Sequence, residues 1–241
     1  MSNVQRVQLL LGTEHECGYL PQASARNAYV NPNFPLDPDR YAWLLAHGFR
    51  RSGDHVYRPH CMHCRLCLPA RIAVNAFHPS RSQRRCITRN ADLTLHISGQ
   101  LNDEHYALYR AYLSARHSGE GMDVEQREAF HSFLECNWGT ARFWEFRDAG
   151  QHLLAVAVVD VLPDALSAVY TFFDPAASAR GLGTYAVLAQ IAHAREQSLA
   201  HVYLGYWVSQ SRKMDYKKNF EPLEVLRGVE WQRLQPAARR G

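Results

Sequence analysis

LSAVYTFFDPAASARGLGTYAVLAQIAHA (residues 166–194) carries the fold. Residues 166–173 are rich in β-branched and aromatic side chains and read as a strand. A loop over 174–180 leads through Gly181-Leu182-Gly183 into a helix. Val187, Leu188, Ile191 and Ala192 recur on that helix at the spacing of one buried stripe. Upstream, residues 140–147 and 152–161 read as two further strands, the second separated from 166–173 by Leu162-Pro163-Asp164. Downstream, 202–207 is a strand and 211–220 looks helical, stopping before Pro222. Leu223, Val225 and Arg227 give a last strand. The order β-β-β-α-β-α-β predicts an α+β fold with a mixed sheet in the C-terminal part.

The first third reads as short elements joined by turns. Residues 37–48 are a helix with its punctuation: Asp37 as N-cap, Pro38 at the first helical position, Gly48 at the end, and Tyr41, Leu44 and Leu45 as the buried stripe. A cysteine-rich knuckle follows at 60–67. Then Ile72, Val74 and Ala76 alternate as a strand. Residues 80–90 are expected to be helical. Leu93, Leu95 and Ile97 alternate with polar residues as a half-buried strand. Asn102 caps a helix running to about His117. Residues 118–121 are expected to form a mobile loop, and Asp123 to cap a helix bearing Phe130, Phe133 and Leu134. This divides the chain into a smaller cysteine-containing N-terminal part, 1–90, and a C-terminal catalytic part, 91–241.

Composition narrows the function classes. The chain has 241 residues, 46% hydrophobic and 21% charged, enough for a real core and unlike a disordered chain. No apolar run approaches the ~18 residues of a membrane span. The N-terminus does not read as a secretory signal, so a cytoplasmic protein is expected. Six clustered cysteines in such a chain suggest a metal site or reduced thiols rather than disulfides. Residues 1–90 hold twelve Arg and five Asp or Glu, a balance of +7, against a net +4 for the whole chain. The excess is densest over 80–89, with four arginines and no acid. Such a surface suits phosphate or carboxylate oxygens, although an Arg-rich, Lys-poor, Ala-rich chain also arises from codon bias.

Two stretches carry chemistry. At Arg180-Gly181-Leu182-Gly183-Thr184 the glycines let a ligand approach the backbone, and the helix N-terminus favours an anion. Many two-glycine turns are only turns. The order of elements around this one resembles the N-acetyltransferase fold, in which the turn holds the pyrophosphate of acetyl-CoA. Tyr185 departs from that pattern, and a ring there is expected to obstruct pyrophosphate. In the second stretch, Tyr206 and Trp207 end a strand that runs into Arg212, Lys213 and Lys217. Rings stack on unpaired bases and cations hold the phosphates between them, while an aromatic core strand before a solvated basic helix gives the same pattern.

Several ordered motifs then point to one family. Tyr203-Leu204-Gly205-Tyr206-Trp207, Lys213-Met214-x-Tyr216-Lys217 and Phe220-x-Pro222 resemble the C-terminal signature of the aminoacyl-tRNA–protein transferases. Cys17-Gly18-Tyr19-Leu20-Pro21, Gly48-Phe49-Arg50-Arg51-Ser52-Gly53, Tyr57-Arg58-Pro59, the knuckle and Ser80-Arg81-Ser82-Gln83-Arg84-Arg85 follow the same order in the N-terminal part. The chain length and the Ser-Gln-Arg-Arg segment are similar to the bacterial aspartate/glutamate leucyltransferase branch. The resemblance implies transfer of leucine from leucyl-tRNA to proteins with N-terminal Asp or Glu, marking them for degradation by the N-end rule pathway.

The chemistry suits such a site. The donor ester is already activated. The α-amine acceptor has an ordinary pKa near ~7.7–8.0, so a strong base is unnecessary. Positioning and oxyanion stabilisation are the main needs. By residue type and resemblance, Arg81, Arg84 and Lys213 are candidates for the acceptor carboxylate. Tyr206 and Asp174 are candidate proton-relay groups, with Tyr170 lining the same cleft. Gln83, Arg180, Gly183, Trp207, Tyr216 and Lys217 are expected among the substrate-binding residues. No cofactor is required. Cys61-x-x-Cys64-x-x-Cys67 has ligand spacing with Cys17 as a fourth thiol, so zinc, an iron–sulfur cluster or plain reduced thiols all stand. In arginyltransferases the corresponding region resembles a metal or iron–sulfur site built partly on Cys-Gly-Tyr-Cys, and Leu20 replaces its second cysteine here. His60 and His63 are further possible ligands. Cys86 and Cys136 read as packing residues, and His193 and His201 as structural. Two other readings are an acetyl-CoA-dependent N-acyltransferase and a non-catalytic zinc-knuckle RNA-binding module. The oligomeric state is not legible.

Overall fold

The computed structural model describes residues 6–116 and 126–235. In chain order these form β1 (Leu9–Leu11), β2 (His15–Glu16), β3 (Ser24–Ala25), β4 (Asn27–Val30), α1 (Pro38–Ala46), β5 (Arg50–Ser52), β6 (His55–Pro59), β7 (Leu68–Ala73) and α2 (Arg81–Arg89). Then come β8 (Thr94–Ser98), α3 (Asp103–Arg116), α4 (Arg127–Leu134), β9 (Ala141–Arg147), β10 (Leu153–Val161), β11 (Ala165–Phe173) and α5 (Leu182–Glu196). The chain closes with β12 (His201–Trp207), α6 (Arg212–Asp215), β13 (Leu223–Arg227) and β14 (Glu230–Arg233).

The large sheet has the order β14-β13-β7-β12-β11-β10-β9-β8, and a small one the order β1-β4-β6-β5. β9, β10 and β11 form an antiparallel meander. The run Leu153–Val161 is buried at nearly every position, as a central strand covered on both faces must be. α5 then crosses from β11 to β12, and the two strands pair in parallel. This is the mixed α+β arrangement that the sequence order predicts. That pairing lasts only from Ala165↔His201 to Ser167↔Tyr203. Next to its end β12 has a register shift between Tyr203 and Gly205, and Gly205 takes φ +72°. Beyond this point β11 and β12 are splayed.

Local chemistry explains where three of the helices start. Asp37 caps α1 by accepting from the Arg40 amide at 2.8 Å, and Pro38 occupies the first turn. Ser80 and Gln83 form a reciprocal capping box on α2. Asn102 Oδ1 accepts from the His105 amide at 2.9 Å at the start of α3.

The structure departs from the sequence expectations in several places. The strand expected at Ile72, Val74 and Ala76 lies earlier, at Leu68–Ala73, and Val74–Ala76 is a 3-10 turn. The loop over 174–180 is itself a 3-10 helix from Pro175. The expected helix 211–220 breaks into α6 and a 3-10 turn, Tyr216–Asn219. Buried Lys217 supplies a reason: its Nζ donates to the Tyr206 carbonyl at 2.5 Å and pulls that turn onto β12. Leu95 and Ile97 are exposed because β8 is the edge strand. On α5 Ala194 is buried and Ala192 exposed, so the stripe sits further round the helix. Gln126, not Asp123, stands at the N-cap of α4. Asp123, His117 and the loop 118–121 lie outside the described residues.

The two halves of the sequence share their packing. β7 lies between β13 and β12. The core beneath the small sheet combines Val30, Tyr41, Leu44, Leu45 and Val56 with Leu162, Ala165 and Tyr203. At this seam Arg51 forms a bidentate pair with Asp160, Nε to Oδ2 at 2.8 Å and Nη2 to Oδ1 at 2.9 Å. The other donors of Arg51 reach the carbonyls of Glu135 and Leu134. Tyr41 and Thr140 donate to the same carboxylate. Both charged side chains are fully buried, so their satisfaction is what makes burial tolerable.

Candidate functional site

Two adjoining features make the site: the splay between β11 and β12, and a groove at the N-terminus of α5. The groove has a volume of about 650 Å³ and runs between α2, the first turn of α5 and the 216–221 turn. Ser80, Gln83, Arg89, Gly181, Thr184 and Tyr216 are among the residues lining it. Gly181 enters the helix with φ +71°, a conformation that only glycine adopts cheaply. The Thr184 and Tyr185 amides turn back to the Gly181 carbonyl. The amides of Leu182 and Gly183 precede any helical acceptor.

Several residues expected to bind substrate instead build this frame. Gln83 is buried; its Oε1 accepts from the Ser80 amide at 2.8 Å and its Nε2 donates to the Asn219 carbonyl at 3.0 Å. It staples α2 to the 216–219 turn. Arg180 donates from Nε to Asn90 Oδ1 at 3.0 Å and pairs with Asp92. The Arg180 hydrogen bond holds the Asp92 carboxyl below its usual range. Asn90 in turn donates to the Arg180 carbonyl at 3.0 Å. Arg180 therefore clamps the glycine turn rather than meeting a phosphate. Gly183 faces Phe173 with room for a Cβ at 3.6 Å, so no close approach demands glycine there. The Tyr185 ring packs edge-on against Phe146 at 5.5 Å and does not line the groove, so the expected obstruction is not realised.

The candidate proton-relay groups are similarly engaged. Tyr206 is buried and its hydroxyl donates to the Gly48 carbonyl at 2.9 Å. Burial pushes this phenol well above its ordinary pKa. Its hydroxyl is thus a strut between β12 and the small sheet. Asp174 accepts from the Ala176 amide at 2.9 Å as the cap of the 3-10 helix. Tyr170 sits in an aromatic cluster, 5.2 Å from the Phe133 ring and edge-on to Tyr112 at 6.4 Å.

Arg81 and Arg84 are exposed on α2, and Arg84 donates to the Pro79 carbonyl at 2.7 Å. Lys213 is exposed on α6. Tyr216 is 44% exposed and lines the groove, which suits a stacking surface. Trp207 ends β12 with a buried indole N–H that has no acceptor among the described residues. Burial and the Arg50 charge push the Lys217 ammonium well below its usual range.

Arg50 is the residue that sequence reasoning left without a role. From β5 it reaches across to the splay, where its Nη2 donates to the Val169 carbonyl of β11. On the β12 side its guanidinium lies against Gly205, whose missing Cβ would overlap it. The signal was present as two adjacent arginines between glycines in a short strand. Alternation sends them to opposite faces.

The cysteines occupy a separate region. Cys61, Cys64 and Cys67 line a cavity of about 350 Å³ with Pro59, Pro69 and Leu226. Burial, with Cys17, Cys61 and Cys64 nearby, pushes the Cys67 thiol up to about 12. Among the described residues no three Cys, His, Asp or Glu side chains are disposed around one ion. The four thiols are neighbours in this arrangement without forming a ligand set.

Similarity to known proteins follows the whole chain. The family described as arginine-tRNA-protein transferase matches through its N-terminal part at residues 15–85 and its C-terminal part at residues 104–227. The chain is 50% identical over 224 residues to the aspartate/glutamate leucyltransferase of Stenotrophomonas maltophilia (strain K279a), covering 90% of this chain and 89% of that one. It is 47% identical over 232 residues to the aspartate/glutamate leucyltransferase of Stutzerimonas stutzeri (strain A1501), covering 96% and 98%. The enzyme of that name from Saccharophagus degradans is 43% identical over 232 residues, with the same two coverages of 96% and 98%.

Proposed function

The chain belongs to the aspartate/glutamate leucyltransferases of the arginine-tRNA-protein transferase family, and we propose that its transfer chemistry takes place where the groove at the N-terminus of α5 meets the β11–β12 splay. The reaction moves leucine from leucyl-tRNA to the N-terminal Asp or Glu of a protein. The amine attacks the ester carbonyl, the tetrahedral oxyanion collapses, and the ribose hydroxyl leaves with the proton the amine gives up.

One observation carries the location: an open groove combines a helix N-terminus, an arginine-lined helix and an exposed tyrosine ring. The tRNA 3′ end lies along α2, with Arg81, Arg85 and Arg89 facing its phosphates. The terminal base stacks on Tyr216. The free amides at the start of α5 and the Thr184 hydroxyl supply donors for the ester oxygen or the oxyanion. Gln83, Asn90, Arg180 and Tyr206 hold these groups in place without touching substrate. Among the described residues no helix is long and apolar enough to cross a membrane. A cytoplasmic role fits, since charged tRNA is made there, and leucylation then marks acceptor proteins for degradation.

The test compares leucyl-tRNA with arginyl-tRNA against peptides beginning with Asp, Glu or Lys, read by mass spectrometry. Leucine added to the Asp and Glu peptides only is expected. Acetylation from acetyl-CoA without tRNA, or tRNA binding with every peptide unmodified, would overturn the reading. For the location, Tyr216→Ala is expected to raise the KM for leucyl-tRNA about tenfold, from a stacking contribution of about 1–3 kcal/mol. An unchanged KM would remove Tyr216 from the tRNA path.

A further inference from the structure

Among the described residues Arg50 is a cation without an anion. Its one hydrogen bond among the described residues is from Nη2 to the Val169 carbonyl, and it forms no salt bridge there. Among the described residues Nε and Nη1 have no hydrogen-bond acceptor, and the residue as a whole is only partly buried. Its strongest electrostatic neighbours are phenols, led by Tyr57 and Tyr19. Neither of those hydroxyls is spent on a hydrogen bond among the described residues. Lys217, also without a carboxylate among the described residues, feels the same positive charge. A half-buried guanidinium normally finds a counter-ion within the protein, because removing charge from water is costly. Arg51, next in the chain, does so. Arg50 instead bridges β11 and β12 where the two strands part, with unspent donors from its own fork and from two phenols near it.

We propose that Arg50 is the receptor for the side-chain carboxylate of the acceptor's N-terminal Asp or Glu, with the Tyr57 and Tyr19 hydroxyls beside it. This rests on the leucyltransferase reading above. Guanidinium and carboxylate match in planar fork geometry. An anion bound here also relieves the uncompensated charge at Arg50 and Lys217. The position suits the reaction, because the peptide N-terminus then enters through the splay while the ester arrives along the groove. A terminal phosphate of the tRNA shares the anionic chemistry, and the test separates the two.

The experiment measures kcat/KM for peptides that begin with Asp, Asn, Glu or Gln, at saturating leucyl-tRNA, for wild type, Arg50→Gln and Arg50→Lys. The KM for leucyl-tRNA is measured on the same proteins. Arg50→Gln is expected to lower transfer to the Asp peptide by about 10–100-fold, the value of a charge-assisted hydrogen bond. Transfer to the Asn peptide stays within about threefold, so the discrimination collapses. Arg50→Lys keeps the charge, loses the fork, and falls between; it also keeps the test open should the Gln variant fold poorly. Equal losses on Asp and Asn peptides would overturn the proposal in favour of a structural role. A raised KM for leucyl-tRNA with Asp/Asn discrimination intact would overturn it in favour of phosphate. Wild type that leucylates no peptide would bring down the functional reading and this proposal together.

Discussion

Arg50 and Arg51 are neighbours in one three-residue strand and live in opposite worlds. Arg51 turns into the seam between the two sheets and finds Asp160, two carbonyls and the support of Tyr41 and Thr140. Every donor of its fork that the seam needs is engaged. Arg50 turns the other way, into the gap between β11 and β12, and finds one carbonyl and a ring of tyrosines. The first arrangement fixes how the small sheet sits on the large one. The second leaves binding capacity unspent. Fold stability and substrate recognition are thus separated by a single step along the chain.

Asp160 carries the largest expected effect. Removing one partner of a buried pair leaves the other charge stranded, so Asp160→Ala is expected to cost about 3–5 kcal/mol in urea denaturation. A loss under about 1 kcal/mol would show that Arg51 does not tie the seam. Gly205→Ala comes next. Its φ of +72° and a Cβ built into the Arg50 guanidinium make alanine strained, at about 1–3 kcal/mol. Because the guanidinium must move, transfer to an Asp peptide should fall more than transfer to an Asn peptide. An unaltered ratio of the two rates would contradict the placement of Arg50 against β12. Arg50→Gln itself should cost only about 1 kcal/mol, the value of one hydrogen bond, far less than breaking the Arg51–Asp160 pair. Equal destabilisation at the two positions would erase the contrast.

A third polar cluster lies between α3 and β9. His105 Nε2 lies 2.9 Å from Glu145, yet its Nδ1 is buried without a partner among the described residues. Burial lowers its pKa, against the opposing Glu145 hydrogen bond. The folded state therefore holds it neutral where the unfolded chain accepts a proton. Stability contributed this way is present above about pH 6.5 and declines as pH falls towards the folded pKa. Between pH 7 and pH 5 the Tm of wild type should fall further than that of His105→Gln. Parallel curves would contradict it.

Much of this was legible in the sequence because the signals are local. Asp37-Pro38 and Gly48 bracket α1, Ser80 with Gln83 caps α2, and the run 166–194 marks the strand, turn and helix that create the splay. Ordered motifs along the chain also led to the right family. What stayed hidden depends on contacts across long sequence separations. The strand Leu68–Ala73 contains Pro69 and Arg71 and does not look central, yet it lies between β12 and β13. Gln83 and Arg180 have side chains that suit ligands, and only the fold reveals that Asn219 and Asn90 claim them. Arg50 meets a carbonyl 119 residues away. Alternation in a strand says that Arg50 and Arg51 face apart, but not which one faces a fork in another sheet.

We place the charged tRNA end in the groove at the start of α5. A leucyl-tRNA analogue with an amide in place of the ester and a photoreactive terminal adenine tests it most directly, with cross-links read by peptide mass spectrometry. Cross-links at Tyr216 and within residues 78–89 are expected. Cross-links confined to the small sheet or to the β8 edge would contradict it.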